Sequence, residues 1–196
     1  MIATKADDVR VLVPAGVLGW GIHAEEIDAG LAMAPHAIAV DAGSTDSGPA
    51  YLATGRTKYG RPSIKRDLSI LMAARRRAGI PLLIGSCGTS GCDMAVDQTL
   101  EVVLEVAREQ GDTPRIAVIY SEQSAGDLKA RAAAGAVTPL APSADVADAD
   151  LDACTHIVAL LGPEPYIAAL TEGVDIVLGG RTTDTAVLAA VPLMRA

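Results

Sequence analysis

The fold is decided by residues 38–48, which read IAVDAGSTDSG. The stretch begins inside a short apolar run with Ile and Val, which is typical of a strand buried on both faces of a parallel sheet. The run passes directly into a loop rich in glycine, hydroxyl and carboxylate groups. Because ligands bind at the carboxyl ends of strands in open α/β sheets, the sequence predicts a site in this loop.

Strand and helix patterns alternate on both sides of this stretch. The sequence predicts strands at residues 9–14, 37–40, 82–84, 115–120 and 175–178, with a further strand at 136–140. It predicts helices at residues 23–34, 64–78, 93–110, 126–134 and from 185 onward. This order predicts an α/β fold, Rossmann-like, with a doubly wound and mostly parallel sheet of five to six strands and helices on both faces.

The chain ends in AVPLMRA, inside a helical pattern and without a helix stop signal. We therefore expect residues 1–196 to form a single α/β domain that is the N-terminal portion of a longer protein.

Composition argues against several classes of partner. The net charge of −8 leaves no basic surface for nucleic acid or for an anionic membrane. No apolar run approaches the roughly 18 residues that a membrane span needs. The first ten residues do not resemble a secretory signal, so a cytoplasmic location with reduced cysteines is expected.

Four predicted strands end in glycine-rich polar loops. In a parallel sheet these loops meet at one edge, where glycines let the backbone approach a ligand and helix N-termini present N–H groups to an anion. For any one loop, a tight turn between strand and helix is the simpler interpretation. Together they predict a site for a carboxylate or phosphate, with these substrate-binding residues: Gly43, Ser44, Thr45, Gly85, Ser86, Cys87, Gly88, Thr89, Ser90, Gly180, Arg181 and Asp184.

Charged side chains at this edge supply candidates for catalysis. Asp41 and Asp46 are predicted as general bases or as oxygen ligands of a divalent metal ion. Arg181 can hold a carboxylate through its forked guanidinium or pair with Asp184, which can instead cap the last helix. His23 is the histidine that we retain as an acid–base candidate, since it follows the first loop.

The cysteines do not form a recognisable motif. Cys87 lies near a predicted helix N-terminus, where a thiolate is favoured, but it has no histidine partner in the sequence. Cys87 and Cys92 do not have the C-x-x-C spacing of redox and zinc motifs, and no histidine lies near them in the sequence. A structural zinc site is therefore not expected.

Five segments resemble, in the same order, the acyclic terpene utilisation family of bacterial catabolic proteins. They are DAGSTDSGPAYL (41–52), IKRDL (64–68), PLLIGS (81–86), EPYI (164–167) and DIVLGGRTTDTAV (175–187). The resemblance implies a role in degrading branched terpenoid acids or other small carboxylates, and a chain longer than this one. The loop CGTSGCD (87–93) departs from the family pattern, which has small residues and often a histidine there.

Three functions remain open. The first is a catabolic enzyme with lyase-like or hydratase-like chemistry on a small carboxylic acid or acyl-CoA, with Arg181 and the amides of residues 85–91 holding the anion. The second is an ATP-binding domain, because residues 41–45 (DAGST) resemble the first phosphate loop of the actin and sugar-kinase superfamily. The third is a non-catalytic binding subunit, acting as a homo-oligomer or with a partner subunit.

Overall fold

A computed structural model describes residues 8–43 and 49–196 of the chain. Its five strands form one sheet in which every neighbouring pair is parallel, in the order β1-β2-β3-β5-β4. The strands are β1 (Val11–Leu12), β2 (Ala37–Gly43), β3 (Leu82–Thr89), β4 (Ile116–Ile119) and β5 (Ile176–Gly179). The predicted α/β fold with a parallel sheet is confirmed.

Eight helices lie within the described ranges. They are α1 (Ala24–Leu31), α2 (Ala50–Thr54), α3 (Arg61–Ala78), α4 (Asp93–Gln110), α5 (Ala125–Ala133), α6 (Asp148–Ala153), α7 (Glu164–Thr171) and α8 (Asp184–Arg195). Pro62 occupies the first turn of α3, where a missing N–H costs no hydrogen bond. Three arginines in the last turn of α3 complement the helix dipole.

The sheet is covered on both faces because its side chains alternate. Ile38 and Val40 of β2 point to one face, where they pack in a core with residues of α1, α3 and α4. Ala37 and Ala39 point to the opposite face, where Tyr166 of α7 and residues of α8 cover them. Successive side chains of a strand lie on opposite faces, so a strand whose residues are all apolar requires helices on both sides.

The helix positions define where the strand order changes direction. Helix α1 connects β1 to β2, α3 precedes β3, and α4 connects β3 to β4, and these three helices lie on one face of the sheet. The return from β4 to β5 contains α7, which lies on the other face. This is the arrangement that right-handed crossovers require. The chain therefore leaves the adjacent strands β3 and β5 toward opposite faces, and open α/β sheets bind ligands in a crevice at the carboxyl ends of such strands.

Three local predictions differ from the structure. Residues 136–140 do not form a strand, and Leu140 there is 86% exposed, so the predicted sixth strand is wrong. An extended apolar segment is stable as a strand where other elements bury its side chains, and residues 136–140 are not covered in this way. Residues 145–152 are acidic, and their composition indicates a connector, but the structure places helix α6 there, with its first turn capped by the Asp150 carboxylate accepting from Ala147 N at 3.0 Å. The polar, glycine-containing stretch 41–62 indicates a long loop, but its residues 50–54 form α2.

The basic run at the end of α3 also holds the opposite edge of the sheet together. The buried Arg75 guanidinium donates to Asp175, before β5, at 2.9 Å and also pairs with Asp112, after α4. Arg77 pairs with Asp28 of α1. These ion pairs give Arg75 and Arg77 partners within the chain, so the basic run does not require a polyanionic ligand.

No helix in the described ranges is both long enough and apolar enough to cross a lipid bilayer.

Candidate functional site

The carboxyl ends of β2, β3 and β5 bring three of the predicted loops together. Asp41 of β2 lies beside Gly85 of β3, and the register shifts before Gly43 pairs with Thr89. Ser86, near the end of β3, donates its N–H to Gly180 O at 2.9 Å, which joins the glycine-rich segment 85–91 to the loop after β5. The two segments thus meet at the sheet edge where the strand order predicts a ligand crevice.

A buried hydroxyl network fixes the two loops on either side of this crevice. Ser86 Oγ accepts from Thr182 N at 3.0 Å and lies 3.2 Å from Thr182 O, to which it donates. Thr182 Oγ1 donates to Gly180 O at 2.8 Å and contacts the Tyr166 hydroxyl at 2.7 Å. Burial raises the pKa of Tyr166 well above its usual range, so this hydroxyl stays neutral. The network positions the two segments, and the Ser86 O–H is already donated to Thr182 O.

The end of β3 and the turn after it have an unusual backbone. Ser86, Gly88, Thr89 and Gly91 all have positive φ, and the value of 79° at the β-branched Thr89 is rare. Such conformations cost energy and are found mostly where a site must be held in one shape. A Cβ at Gly91 would lie 2.3 Å from Arg181 N, so only glycine allows this close approach of the two loops.

The Arg181 side chain is half-buried and lies over Gly43. A Cβ at Gly43 would lie 3.0 Å from Arg181 Nη1. This nitrogen donates a long hydrogen bond of 3.4 Å to Thr89 O. Within the described ranges, no carboxylate lies at ion-pair distance from the guanidinium. The predicted scaffold pair with Asp184 is therefore not formed, and the cation can take an anionic ligand.

Asp41 lies half-buried at the same edge. Burial is the main cause that raises its pKa from 3.8 to about 6, and the Asp184 charge raises it further. The Gly43 N–H, which donates to Asp41 Oδ1 at 3.0 Å, and the Arg181 charge lower the pKa. A carboxylate with this pKa is ionised at neutral pH and accepts protons more readily than an ordinary aspartate.

Other predicted residues lie at or outside the margins of this arrangement. Asp184 is exposed in the first turn of α8, where its charge suits the helix N-terminus. His23 is exposed at the N-terminus of α1, and no contact joins it to Asp41. Ser44, Thr45 and Asp46 lie outside the described residues.

Cys87 and its neighbours face the protein interior. The Cys87 side chain is fully buried in the core beneath the sheet edge, and burial raises the pKa of its thiol to about 12. Thr89 Oγ1 accepts from Lys58 N at 3.3 Å, and Ser90 Oγ donates to Cys92 Sγ at 3.3 Å. We assign no thiolate chemistry to Cys87, because the neutral thiol is strongly favoured.

The strand pairing removes the basis of the ATP-binding alternative. In the actin and sugar-kinase fold, the DAGST-like turn joins two antiparallel strands. Here β2 is parallel to both of its neighbours, β1 and β3, and the next described element is helix α2. The resemblance of the DAGST turn to that phosphate loop is therefore local.

Comparison with known proteins identifies the family of this chain. A family model described as "Acyclic terpene utilisation family protein AtuA" matches residues 48–195, most of the chain. The match includes the loops after β3 and β5 and begins shortly after Asp41. Neither the curated proteins nor the solved structures gave a match to this chain.

Proposed function

The chain belongs to the acyclic terpene utilisation family, and on this premise we propose that it is a catabolic enzyme acting on an acyclic terpenoid acid or its acyl-CoA. The observation that carries the proposal is the half-buried Arg181 guanidinium, which has no carboxylate partner within the described ranges and lies near Asp41. The two groups lie at the crevice where open α/β sheets bind ligands.

Arg181 is assigned the binding of the ligand's anionic group. A guanidinium can give a carboxylate two parallel N–H···O bonds, which fix its orientation as well as its charge. The contacts of the Arg181 backbone support this role. Its N–H donates to Gly91 O at 3.1 Å and to Ser121 Oγ at 2.7 Å, so the side chain projects from an anchored position.

Asp41 is assigned the role of general base. A lyase or hydratase must remove a proton from water or from the carbon next to the carboxyl group, and a carboxylate with a pKa near 6 suits this step. The ionised form is the active one, so activity is expected to rise with pH through the Asp41 pKa. The predicted divalent metal site of Asp41 and Asp46 stays a prediction, because Asp46 lies outside the described residues.

Calorimetric titration tests the proposed ligand class. The acyclic terpenoid acid and the corresponding alcohol have the same carbon skeleton and differ in the carboxylate. We expect the acid to bind and the alcohol to bind at least about tenfold more weakly, since loss of a charge-assisted pair costs about 1.5–3 kcal/mol. In Arg181→Gln this preference for the acid should disappear.

Arg115→Gln is the matched control for this titration. Arg115 is exposed at the opposite edge of the sheet, where its Nη1 donates to Gly173 O at 3.3 Å. The control should bind the acid as the unmodified chain does. Equal binding of acid and alcohol, or unchanged acid binding in Arg181→Gln, would contradict the assignment of Arg181. Acid binding without any turnover would instead favour the non-catalytic binding subunit.

A further inference from the structure

Three side chains of different ligand types come together beside the proposed substrate site. Cys92, Glu122 and His156 each offer one ligand atom, and these three atoms all lie within 4.8 Å of one another. Cys92 and His156 each lie within 34 residues of Glu122 in the sequence, but the three residues belong to separate segments. Their grouping is invisible in the sequence, where the cysteine spacing argues against a metal site.

The fold itself creates this cluster. Cys92 is the residue that precedes α4, and Glu122 follows β4, the strand to which α4 leads. The segment containing His156 pairs antiparallel with the residues after β4, through Gln123 N to Ile157 O at 2.7 Å and Ala159 N to Ser121 O at 2.8 Å. This pairing places Val158 opposite Glu122, and the His156 side chain, two residues earlier, reaches the Glu122 carboxylate.

Each of the three side chains has a partner that orients it. Ser90 Oγ donates to Cys92 Sγ at 3.3 Å. Asp93 N donates to Glu122 Oε2 at 3.0 Å. His156 Nδ1 contacts Glu122 Oε1 at 2.6 Å. Ser90 and Asp93 lie outside the ligand set, and such outer partners are typical of metal sites, where they hold the ligand side chains in position. The contact between His156 and Glu122 joins two of the three ligands directly.

We propose that Cys92, Glu122 and His156 bind a Zn²⁺ ion. A thiolate, an imidazole and a carboxylate form the mixed sulfur, nitrogen and oxygen set that zinc accepts, whereas Mg²⁺ and Ca²⁺ prefer oxygen ligands alone. Three protein ligands leave the fourth tetrahedral position for water or a ligand. The side chains of His156 and Glu122 are 16% and 24% exposed, so solvent can reach the group, while Cys92 is buried.

The cluster is next to the proposed substrate site along the sheet edge. Cys92 directly follows Gly91, whose carbonyl accepts from Arg181 N at 3.1 Å. Ser121, which precedes Glu122, also bonds Arg181 N through its hydroxyl at 2.7 Å. The two sites therefore share backbone contacts near Arg181. Each site has its own ligand, so zinc binding can be measured separately from substrate binding.

Cobalt substitution tests this site directly. The tag-free 196-residue chain is treated with a chelator and titrated with Co²⁺, which occupies zinc sites and gives a thiolate-to-cobalt absorption band. We expect one ion per chain with this band, and Zn²⁺ should displace the Co²⁺ and abolish the band. Cys92→Ser should lose the band, because a hydroxyl cannot replace the thiolate.

Further variants separate a metal ligand from a structural residue. Glu122→Gln and His156→Gln should keep the fold, checked by circular dichroism, and weaken Co²⁺ binding by about tenfold or more. Cys154→Ser removes an exposed cysteine outside the cluster and should bind Co²⁺ as the unmodified chain does. No stoichiometric Co²⁺ binding, or an unchanged thiolate band in Cys92→Ser, would overturn the proposal.

Discussion

At the scale of single residues, the surroundings of Asp41 determine how its charge affects both chemistry and stability. Burial raises the pKa of this carboxyl from 3.8 to about 6, although the Gly43 N–H and the Arg181 charge act in the opposite direction. The ionised side chain is thus less well solvated in the folded protein than in the unfolded chain. A base of this kind gains reactivity at a cost in stability.

The stability of the protein is predicted to depend on pH through this residue. Between pH 3.8 and about 6, the unfolded chain has released the Asp41 proton and the folded chain retains it. The contribution of Asp41 to the free energy of unfolding therefore falls as pH rises through this window and is constant above it. After a discount for solvent screening, the free energy of unfolding is expected to fall by about 1–2 kcal/mol because of Asp41.

Urea unfolding at about pH 4 and about pH 7.5 measures this contribution. Asp41→Asn should lose less stability between the two pH values than the unmodified chain does, by the same 1–2 kcal/mol or so. Asp127→Asn, at an exposed position in α5, serves as the control. An identical pH dependence for Asp41→Asn and the unmodified chain would show that Asp41 is not desolvated.

Residue-level prediction from sequence succeeds where an edge of the sheet determines the neighbours. Asp41, Gly85 and Arg181 were expected to meet because each follows a parallel strand, and they do. The buried partners Thr182 and Tyr166 were missed, since a hydroxyl pair 16 residues apart has no sequence signature. Only the positions of α7 and of the loop after β5 bring them together.

At the scale of elements, a buried carboxylate on α3 fixes the loop after β1. Asp67 is fully buried, and its two oxygens accept from Gly19 N at 2.8 Å, Gly21 N at 3.2 Å and Ile22 N at 3.1 Å. Arg66 lies 3.3 Å from the same carboxylate. The loop after β1 is therefore joined to helix α3 through this carboxylate.

Asp67→Asn is predicted to destabilise the protein by about 2–4 kcal/mol. The amide has one acceptor oxygen in place of two, and its NH₂ group would face backbone donors that need an acceptor. Urea unfolding at neutral pH provides the measurement. Asp127→Asn should change the free energy of unfolding by less than about 0.5 kcal/mol. A similarly small change for Asp67→Asn would show that the loop does not depend on this carboxylate.

The prediction of elements was accurate for buried strands and inaccurate for exposed segments. The apolar runs of β2, β3 and β5 are completely buried and match their predicted positions, although β2 and β3 extend further. Residues 136–140 have a similar local pattern but no neighbouring strand, so they remain exposed. A short apolar run specifies a strand only where the tertiary fold provides a partner for its backbone.

At the scale of the whole molecule, the strand order explains the location of the proposed site. The order β1-β2-β3-β5-β4 sends the chain from β3 and β5 to opposite faces, and the glycine-rich loops follow these two strands. The alternation of strands and helices in the sequence predicts the parallel sheet. It does not predict that β5 inserts between β3 and β4, because the order depends on how long-range contacts pack.

We propose that Asp41 acts as a base on a carboxylate ligand held at this edge of the sheet. The measurement for this role is the rate of water addition to an α,β-unsaturated terpenoid acid and to its coenzyme A thioester, followed by the loss of enoyl absorbance and the mass of the product. We predict turnover that rises with pH through about 6 and falls at least about 100-fold in Asp41→Asn, with Arg115→Gln unaffected. No hydration of either compound, or an Asp41→Asn variant as fast as the unmodified chain, would contradict the claim.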